Sequence, residues 1–242
     1  MEENIERKSI IEKLAVPISI VIAGGLMAGA LYYSNFKAKT QEAVINTVQK
    51  SIEGSSSKMR PIGPDDHILG NPNAEVILVE YSDTECPFCK QYHETMRRLM
   101  NEYGKDGKVA WVYRHFPIDQ LHSKARKEAE ALECANELGG AEKFWEYTNL
   151  LYETTPANNG LDSAELPKMA KTVGLDTKAF NTCLSSGKYK DKVEADYQNA
   201  IEVGGKGTPT TIMVTKDGTK TLLEGAYPYE SLKNIVDSVI KA

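Results

Sequence analysis

Two cysteines separated by two residues, in the stretch SDTECPFCKQYHE, constrain the fold of this chain more than any other feature. Residues 74–83 form a run of β-branched and apolar side chains that predicts a buried strand. After the cysteines, apolar side chains recur at helical spacing as far as Gly104, which suits the end of a helix. The sequence therefore places Cys86 at a strand-to-helix junction and Cys89 one turn into the helix.

The position of Cys86 predicts that its thiol has a lowered pKa. Pro87 takes the first helical position, where the missing N–H of proline removes no hydrogen bond. A thiol at Cys86 would face unpaired backbone N–H groups and the positive end of the helix dipole, and both favour the thiolate. Cys89 would face back into the protein. We therefore expect an exposed, activated sulfur at Cys86 and a buried, resolving sulfur at Cys89.

The N-terminal part of the chain contains a long stretch without charge. No charged side chain occurs from Leu14 to Phe36, and about 20 apolar residues are enough to cross a bilayer as a helix. We expect residues 1–13 to be cytoplasmic and 14–36 to form a single-pass anchor in the cell membrane. The main alternative is a signal peptide cleaved after Ala30, and a buried core helix fits this stretch less well. Both the anchor and the signal peptide place the rest of the chain outside the cytoplasm.

The segment after the predicted anchor has the composition of a linker. Residues 37–65 are predicted to be a stalk and linker, since 54–66 (GSSSKMRPIGPDD) is rich in turn-forming residues. Apolar residues at four-residue spacing within 37–53 suggest a helix that could pair two chains, and a loosely ordered linker is the alternative. The folded domain is predicted over 66–242. Its mixed charges, with a net charge of -5 for the chain, give no reason to expect nucleic acid.

The remaining hydrophobic pattern predicts an α/β domain in the order βαβ, a helical insert, then ββα. The elements after the first strand and helix are a strand at 108–116, helices over about 120–203, strands at 210–215 and 220–225, and a helix at 228–241. Asp217-Gly218 is predicted to form the turn between the last two strands.

In this order of elements the chain resembles the DsbA-like thiol-disulfide oxidoreductases of the thioredoxin superfamily. The motif Cys86-Pro87-Phe88-Cys89, Glu80 six residues before it, and GTPT at 207–210 carry the resemblance. Further similar segments are YRHFP (113–117), FWEY (144–147) and GAYPYE (225–230). The resemblance implies a thioredoxin fold with an inserted helical domain, here preceded by the predicted transmembrane helix.

The resemblance also implies roles for the residues of the motif. Cys86 and Cys89 would form the redox-active disulfide, and a substrate thiolate would attack Cys86. Glu80 would help move protons at Cys89, and a strand-end carboxylate that faces water is the alternative. Phe88 replaces the histidine of the most oxidising members. Because the dipeptide between the cysteines tunes thiolate stability, this difference is expected to affect the reduction potential.

A second implied element is the loop that faces the cysteines. Thr208 and Pro209 would present backbone to an extended substrate chain, and the peptide bond between them would be cis. Cis bonds occur at only about 5–6% of X–Pro positions in folded proteins. The resemblance alone therefore supports this prediction.

The two remaining cysteines are Cys134 and Cys183. An even number of cysteines in an exported protein favours a disulfide between them, and some DsbA-like proteins carry a bridge within the helical insert. Two buried free thiols are an alternative. A four-cysteine zinc site fits poorly because these two cysteines lack paired spacing. We expect no metal and no other cofactor.

The expected function is the introduction of disulfides into exported proteins that carry free thiols. The protein would act as a monomer, and a membrane thiol oxidase would reoxidise the pair. Isomerisation or reduction of disulfides by the same fold is the first alternative. The second alternative is a thioredoxin-fold binding or chaperone module in which the cysteines are incidental.

Overall fold

The computed structural model describes residues 56–241. The predictions for residues 1–13 and 14–36, and for most of the stalk, lie outside the described residues. Within the described range, the helices are too short or too polar to cross a membrane.

A mixed five-stranded sheet forms the centre of the domain, in agreement with the predicted α/β class. Its strands are β1 (His67–Gly70), β2 (Val76–Ser82), β3 (Val109–His115), β4 (Thr210–Thr215) and β5 (Lys220–Glu224). The spatial order is β1-β3-β2-β4-β5, with β2 and β3 parallel and the other neighbours antiparallel. The carboxyl ends of β2 and β3 therefore lie at the same edge, where the cysteines follow.

The edge strand β1 is a correction to the predicted element order, which began with β2. Four residues, HILG, are too few to show a periodic pattern, and the strand exists because it pairs with β3. His67 lies opposite Tyr113 in this antiparallel register.

The helices are α1 (Pro87–Leu99), α2 (Ala125–Thr154), α3 (Glu165–Thr172), α4 (Thr177–Ser186), α5 (Lys190–Glu202) and α6 (Tyr229–Ile240). Elements α2 to α5 lie between β3 and β4, in the region expected to be helical. The sequence predicted two helices where α2 stands. They are contiguous except for a kink at Gly140, whose φ of 71° is not helical.

The predicted end of the first helix is wrong in its detail. The helical segment ends at Gly104, but its last turn, Met100–Gly104, is π-helical, and Gly104 is part of that turn rather than the residue that terminates an α-helix. Gly107, with φ 69°, takes the left-handed conformation instead. A Cβ atom at Gly104 would lie 2.6 Å from the terminal methyl group of Met100, so a larger residue there would require this flexible side chain to move.

Both faces of the sheet are covered, so its central strands are buried on both sides. On one face, Trp111 and Tyr113 of β3 pack into the larger cluster, together with α1, α2 and α6. On the other face, Tyr81 and Val112 pack with Ala200 of α5. Residues at the carboxyl end of β2 are consequently withdrawn from water before the chain reaches the cysteines.

Candidate active site

Cys86 caps the N-terminus of α1. Its backbone is extended, with φ -80° and ψ 123°, Pro87 follows in the first turn, and Lys90 N donates the first helical hydrogen bond to Cys86 O (3.0 Å). The first turn contains no acidic residue. Its unpaired N–H groups and the helix dipole therefore act on the Cys86 sulfur without an opposing carboxylate on the helix.

The two sulfurs are both buried, which corrects the expectation that Cys86 is exposed. Cys86 is 5% exposed and Cys89 is fully buried, whereas Phe88 between them is 62% exposed. Cys86 Sγ lies 3.5 Å from Thr208 O, in the loop before β4. This loop faces the cysteine, as the resemblance implied, although 122 residues separate the two in sequence.

The surroundings separate the acidities of the two thiols. The pKa of Cys86 is lowered, first by a hydrogen bond from the Cys89 thiol, then by Thr208 and by backbone N–H groups of Cys89 and Phe88, while burial opposes. Burial raises the pKa of Cys89 well above its usual value, and the neighbouring charges of Cys86 and Glu80 add to this effect. The site therefore favours a thiolate at Cys86 and a thiol at Cys89 when the pair is reduced.

Glu80 is buried beneath the cysteines and does not face water. Burial raises its pKa to about 7, although hydrogen bonds from Ser82 and Trp111 oppose the shift. Trp111 Nε1 donates to Glu80 Oε2 at 2.9 Å, while Oε1 has no hydrogen-bond partner within residues 56–241. A carboxyl group with this pKa can both accept and release a proton near neutral pH.

Replacing Glu80 with glutamine is expected to make the protein more stable above pH 7 and to leave it unchanged near pH 4. The unfolded carboxyl ionises above about 4.5, but the folded one ionises only near 7, so wild-type stability falls between these values as pH rises. The gain at pH 8 should be up to about 3 kcal/mol. Urea unfolding across this range measures it, with exposed Glu224→Gln as control. Parallel pH profiles for wild type and Glu80→Gln would contradict the assignment.

The loop beside the cysteines has the predicted backbone form. The peptide bond between Thr208 and Pro209 is cis. Gly225 N donates to Pro209 O at 2.9 Å, which ties the loop to the end of β5. The structure thus brings Cys86, Thr208 and Pro209 together.

A buried acidic pair beside the motif was missed. Glu85 is fully buried, its O accepts from Asn158 N (2.7 Å), and its Oε2 accepts from Gly160 N (3.2 Å). Burial, followed by a hydrogen bond with Glu85, raises the pKa of Glu128 well above its usual value. Glu85 therefore attaches the loop at 157–160 to the residue before Cys86. Glu85 is visible next to the motif, but its partners come from distant segments.

Asp83 connects the second cysteine to the segment after β3. Asp83 N donates to Cys89 Sγ at 3.4 Å. Its carboxylate accepts from Ile118 N (2.7 Å) and lies 2.9 Å from His122 Nδ1. These contacts fix the strand-to-helix junction from which both cysteines project.

The other two cysteines form a disulfide. Cys134 of α2 and Cys183 of α4 are bonded, with their Cα atoms 5.9 Å apart and 49 residues between them in sequence. The bridge joins two helices of the insert. With these cysteines bonded, a four-cysteine metal site is excluded.

These features define a protein with a thioredoxin fold, in which a Cys-x-x-Cys pair begins a helix and a cis-proline loop lies against its first sulfur. The chain belongs to the thioredoxin-like family, since the family model described as Thioredoxin matches residues 63–238.

Solved structures of similar fold include DsbA proteins. DsbA2 of Pseudomonas aeruginosa is 27% identical, with a TM-score of 0.61, and the match covers 74% of this chain and 97% of that one. The structure of α-DsbA1 from Wolbachia pipientis has a TM-score of 0.65 at 24% identity, with coverage of 76% and 95%. A thioredoxin-like oxidoreductase from Silicibacter pomeroyi DSS-3 is 26% identical, with a TM-score of 0.60, and the match covers 74% of this chain and 95% of that one. The chain is therefore similar to DsbA proteins over nearly their whole length.

The curated proteins that are similar in sequence are named Na(+)/H(+) antiporters rather than DsbA proteins. The Na(+)/H(+) antiporter NhaA 3 of Salinispora tropica is 35% identical over 159 residues, or 65% of this chain and 23% of the antiporter. NhaA 1 of Salinispora arenicola is 33% identical over 188 residues, or 77% of this chain and 26% of the antiporter. The chain thus spans about a quarter of the length of these relatives.

Proposed function

We propose that this protein is an extracytoplasmic thiol-disulfide oxidoreductase that introduces disulfides into exported proteins through Cys86 and Cys89. The observation that carries the proposal is the placement of Cys86 at the N-terminus of α1, 3.5 Å from Thr208 O in the cis-proline loop, with Cys89 fully buried. The lowered pKa of Cys86 and the raised pKa of Cys89 agree with this placement. An environment that stabilises the Cys86 thiolate stabilises the reduced pair, and a stable reduced form makes the oxidised form a stronger oxidant. Similarity to DsbA structures supports this direction.

The reaction begins with the pair oxidised. A client thiolate attacks Cys86 Sγ, the bond to Cys89 breaks, and Cys89 takes up a proton because its thiolate is strongly disfavoured. Glu80, whose pKa is raised to about 7, is suited to supply that proton. A second client thiolate then attacks the client sulfur of the mixed disulfide and releases Cys86 as a thiolate. The client loses two electrons, and the cysteine pair gains them.

Two surfaces next to Cys86 suit an extended client chain. Thr208 and Pro209 lie against Cys86 with the loop backbone, so they can position the client sulfur for attack. Phe88, which is 62% exposed, offers an apolar contact beside the sulfur. We assign Thr208 and Pro209 to substrate binding and Phe88 to the approach of the client.

Oxidative refolding tests the direction of the reaction. The full chain, supplied with oxidised glutathione to regenerate the pair, should accelerate the return of activity to reduced, denatured ribonuclease. Faster recovery only from ribonuclease with scrambled disulfides would indicate an isomerase. Reduction of insulin disulfides without ribonuclease oxidation would indicate a reductase, and both results would contradict the proposal.

For its place in the cell, we propose a single-pass membrane protein with residues 37–242 on the extracytoplasmic side, tethered through 14–36. The uncharged stretch supports this arrangement. A membrane thiol oxidase would reoxidise the monomeric protein. Protease added to cells stripped of their outer layers should degrade the domain. A domain that is digested only after the cells are lysed would contradict this topology.

A further inference from the structure

Two histidines and one glutamate converge at a buried point that the proposed reaction does not use. His67 Nε2 lies 2.7 Å from Glu133 Oε1, and His115 Nε2 lies 2.8 Å from the same oxygen. One ligand atom from each residue falls within 4.8 Å of the others. All three side chains are at most 4% exposed. Two imidazole nitrogens and one carboxylate thus face a common centre.

The topology of the sheet explains why these residues meet. His67 begins β1 and lies opposite Tyr113, so His115, two residues further along β3, projects from the same face. Glu133 comes to this face from α2. The ring of His67 stacks on Phe144 of the same helix, with centroids 3.5 Å apart. The histidine is thereby held in orientation by packing as well as by its hydrogen bond.

We propose that His67, His115 and Glu133 form a binding site for a divalent transition metal, with Zn²⁺ the best match. Zinc takes imidazole nitrogens and carboxylate oxygens as ligands at about 2.0–2.2 Å, usually in tetrahedral geometry. Two histidines and a glutamate are an established ligand set for zinc, and three protein ligands leave the fourth position to water or to a bound molecule.

A cleft provides access to the fourth position. Its volume is ≈ 320 Å³, and its other lining residues include Asp65, Asn136, Tyr189 and Lys192. His67 and Glu133 line this cleft, while His115 lies behind them. An ion could therefore reach the ligands without opening of the core.

The proton positions are compatible with metal binding. Both Nε2 atoms lie within hydrogen-bond distance of Glu133 Oε1. An ionised carboxylate only accepts hydrogen bonds, so each Nε2 carries the proton in the metal-free protein. Metal binding requires the other tautomer, with the proton on Nδ1. His115 Nδ1 is buried without a hydrogen-bond partner within residues 56–241, so this nitrogen has no bond to lose when it takes the proton.

One positive charge opposes an ion at this point. Lys192 Nζ lies 3.6 Å from Glu133 Oε1 and donates to Asp65 O at 2.8 Å. Its side chain is 22% exposed, so it can be replaced without opening the core. Removal of the Lys192 charge should therefore strengthen metal binding. If His67, His115 and Glu133 only hold α2 against the sheet, the same replacement should not change the affinity for the metal.

Zinc titration of the full chain tests the site. The protein is first oxidised, so that the thiols of Cys86 and Cys89 cannot bind the ion. Calorimetry with zinc chloride should then show a single site per chain. His67→Ala or His115→Gln should weaken binding by at least about tenfold, while His93→Gln, a buried histidine bonded to Asn149 instead, should leave it unchanged. Co²⁺ in place of Zn²⁺ should give the visible absorption of a four-coordinate site that disappears in the His67 variant.

Lys192→Met keeps the test decisive if the histidine variants fail to fold. It should raise the affinity for Zn²⁺ severalfold. The proposal is overturned if oxidised wild-type protein shows no saturable zinc binding, or if neither the histidine variants nor Lys192→Met change the affinity. Zinc binding that vanishes on oxidation of the cysteine pair would assign the ion to Cys86 and Cys89 and would also overturn it.

Discussion

Replacing Cys86 with alanine is expected to reduce oxidative refolding of ribonuclease to the uncatalysed rate. Cys86 is the sulfur at the helix N-terminus, next to the Thr208–Pro209 loop, and its thiolate is the favoured one. Cys89 is fully buried and cannot take its place. Alanine at Cys89 should have a different effect. With oxidised glutathione present, Cys86 can form a disulfide with glutathione, a client thiolate can then displace the glutathione, and the resulting mixed disulfide lacks Cys89 to reverse it. Non-reducing gels should show these adducts only with the Cys89 variant.

The Cys89 variant also tests why Cys86 is acidic. The hydrogen bond from the Cys89 thiol is the largest cause of the lowered Cys86 pKa. In Cys89→Ala, the pH at which Cys86 is half alkylated by iodoacetamide should therefore move upward from its wild-type value. Equal values in the two proteins would show that the helix terminus alone sets the acidity.

Refolding that survives Cys86→Ala, or client binding as the protein's sole activity, would favour the binding or chaperone alternative.

Replacing Cys134 and Cys183 together with alanine is expected to lower the free energy of unfolding by as much as about 4 kcal/mol. The bridge closes a loop of 49 residues between α2 and α4, and its removal returns conformational freedom to the unfolded chain. Urea unfolding of the full chain measures the loss. Refolding activity per folded molecule should be unchanged, since the described side-chain hydrogen bonds of Cys86 and Cys89 go to Thr208 and Asp83 and involve neither replaced residue.

A matched control separates the disulfide from the side chains themselves. In a Cys86→Ala, Cys89→Ala background, a reductant can act only on the Cys134–Cys183 bond, and it should cause a similar loss of stability. A loss below about 1 kcal/mol in both experiments would contradict a stabilising role. It would mean that packing around Cys183 in α4 holds the insert together without the bridge.

Sequence reasoning succeeded where the determining contacts are local. The junction at Cys86 follows from a strand, a proline in the first turn and a helical pattern, and all three lie within a few residues. The burial of Cys86 did not follow from this local pattern, since the loop at Thr208 lies 122 residues away and only the resemblance placed it opposite the cysteines. The strand at His67–Gly70 was missed since its four residues form a strand only when β3 is present to pair with them.

The distinction between local and long-range contacts also applies to the buried polar side chains. Glu80 could be proposed from its spacing to the motif, but its burial and its bond to Trp111 depend on the folded core. His115 is the last residue of β3, and it is buried beside Glu133. Glu133 lies 66 residues from His67 and 18 from His115. These separations are unlike the short spacings of known metal motifs, so sequence alone could not bring the three residues together.

The reduction potential of the Cys86–Cys89 pair tests the central claim most directly. It is measured by equilibration with glutathione buffers, and thiolate absorbance is then followed during a pH titration of the reduced protein. We predict a potential above the thioredoxin value of about -270 mV, with each ~30 mV equal to about 1.4 kcal/mol, and a Cys86 pKa well below the unperturbed ~8.5. A potential at or below that of thioredoxin, together with an ordinary Cys86 pKa, would contradict the oxidase function and indicate a reductase.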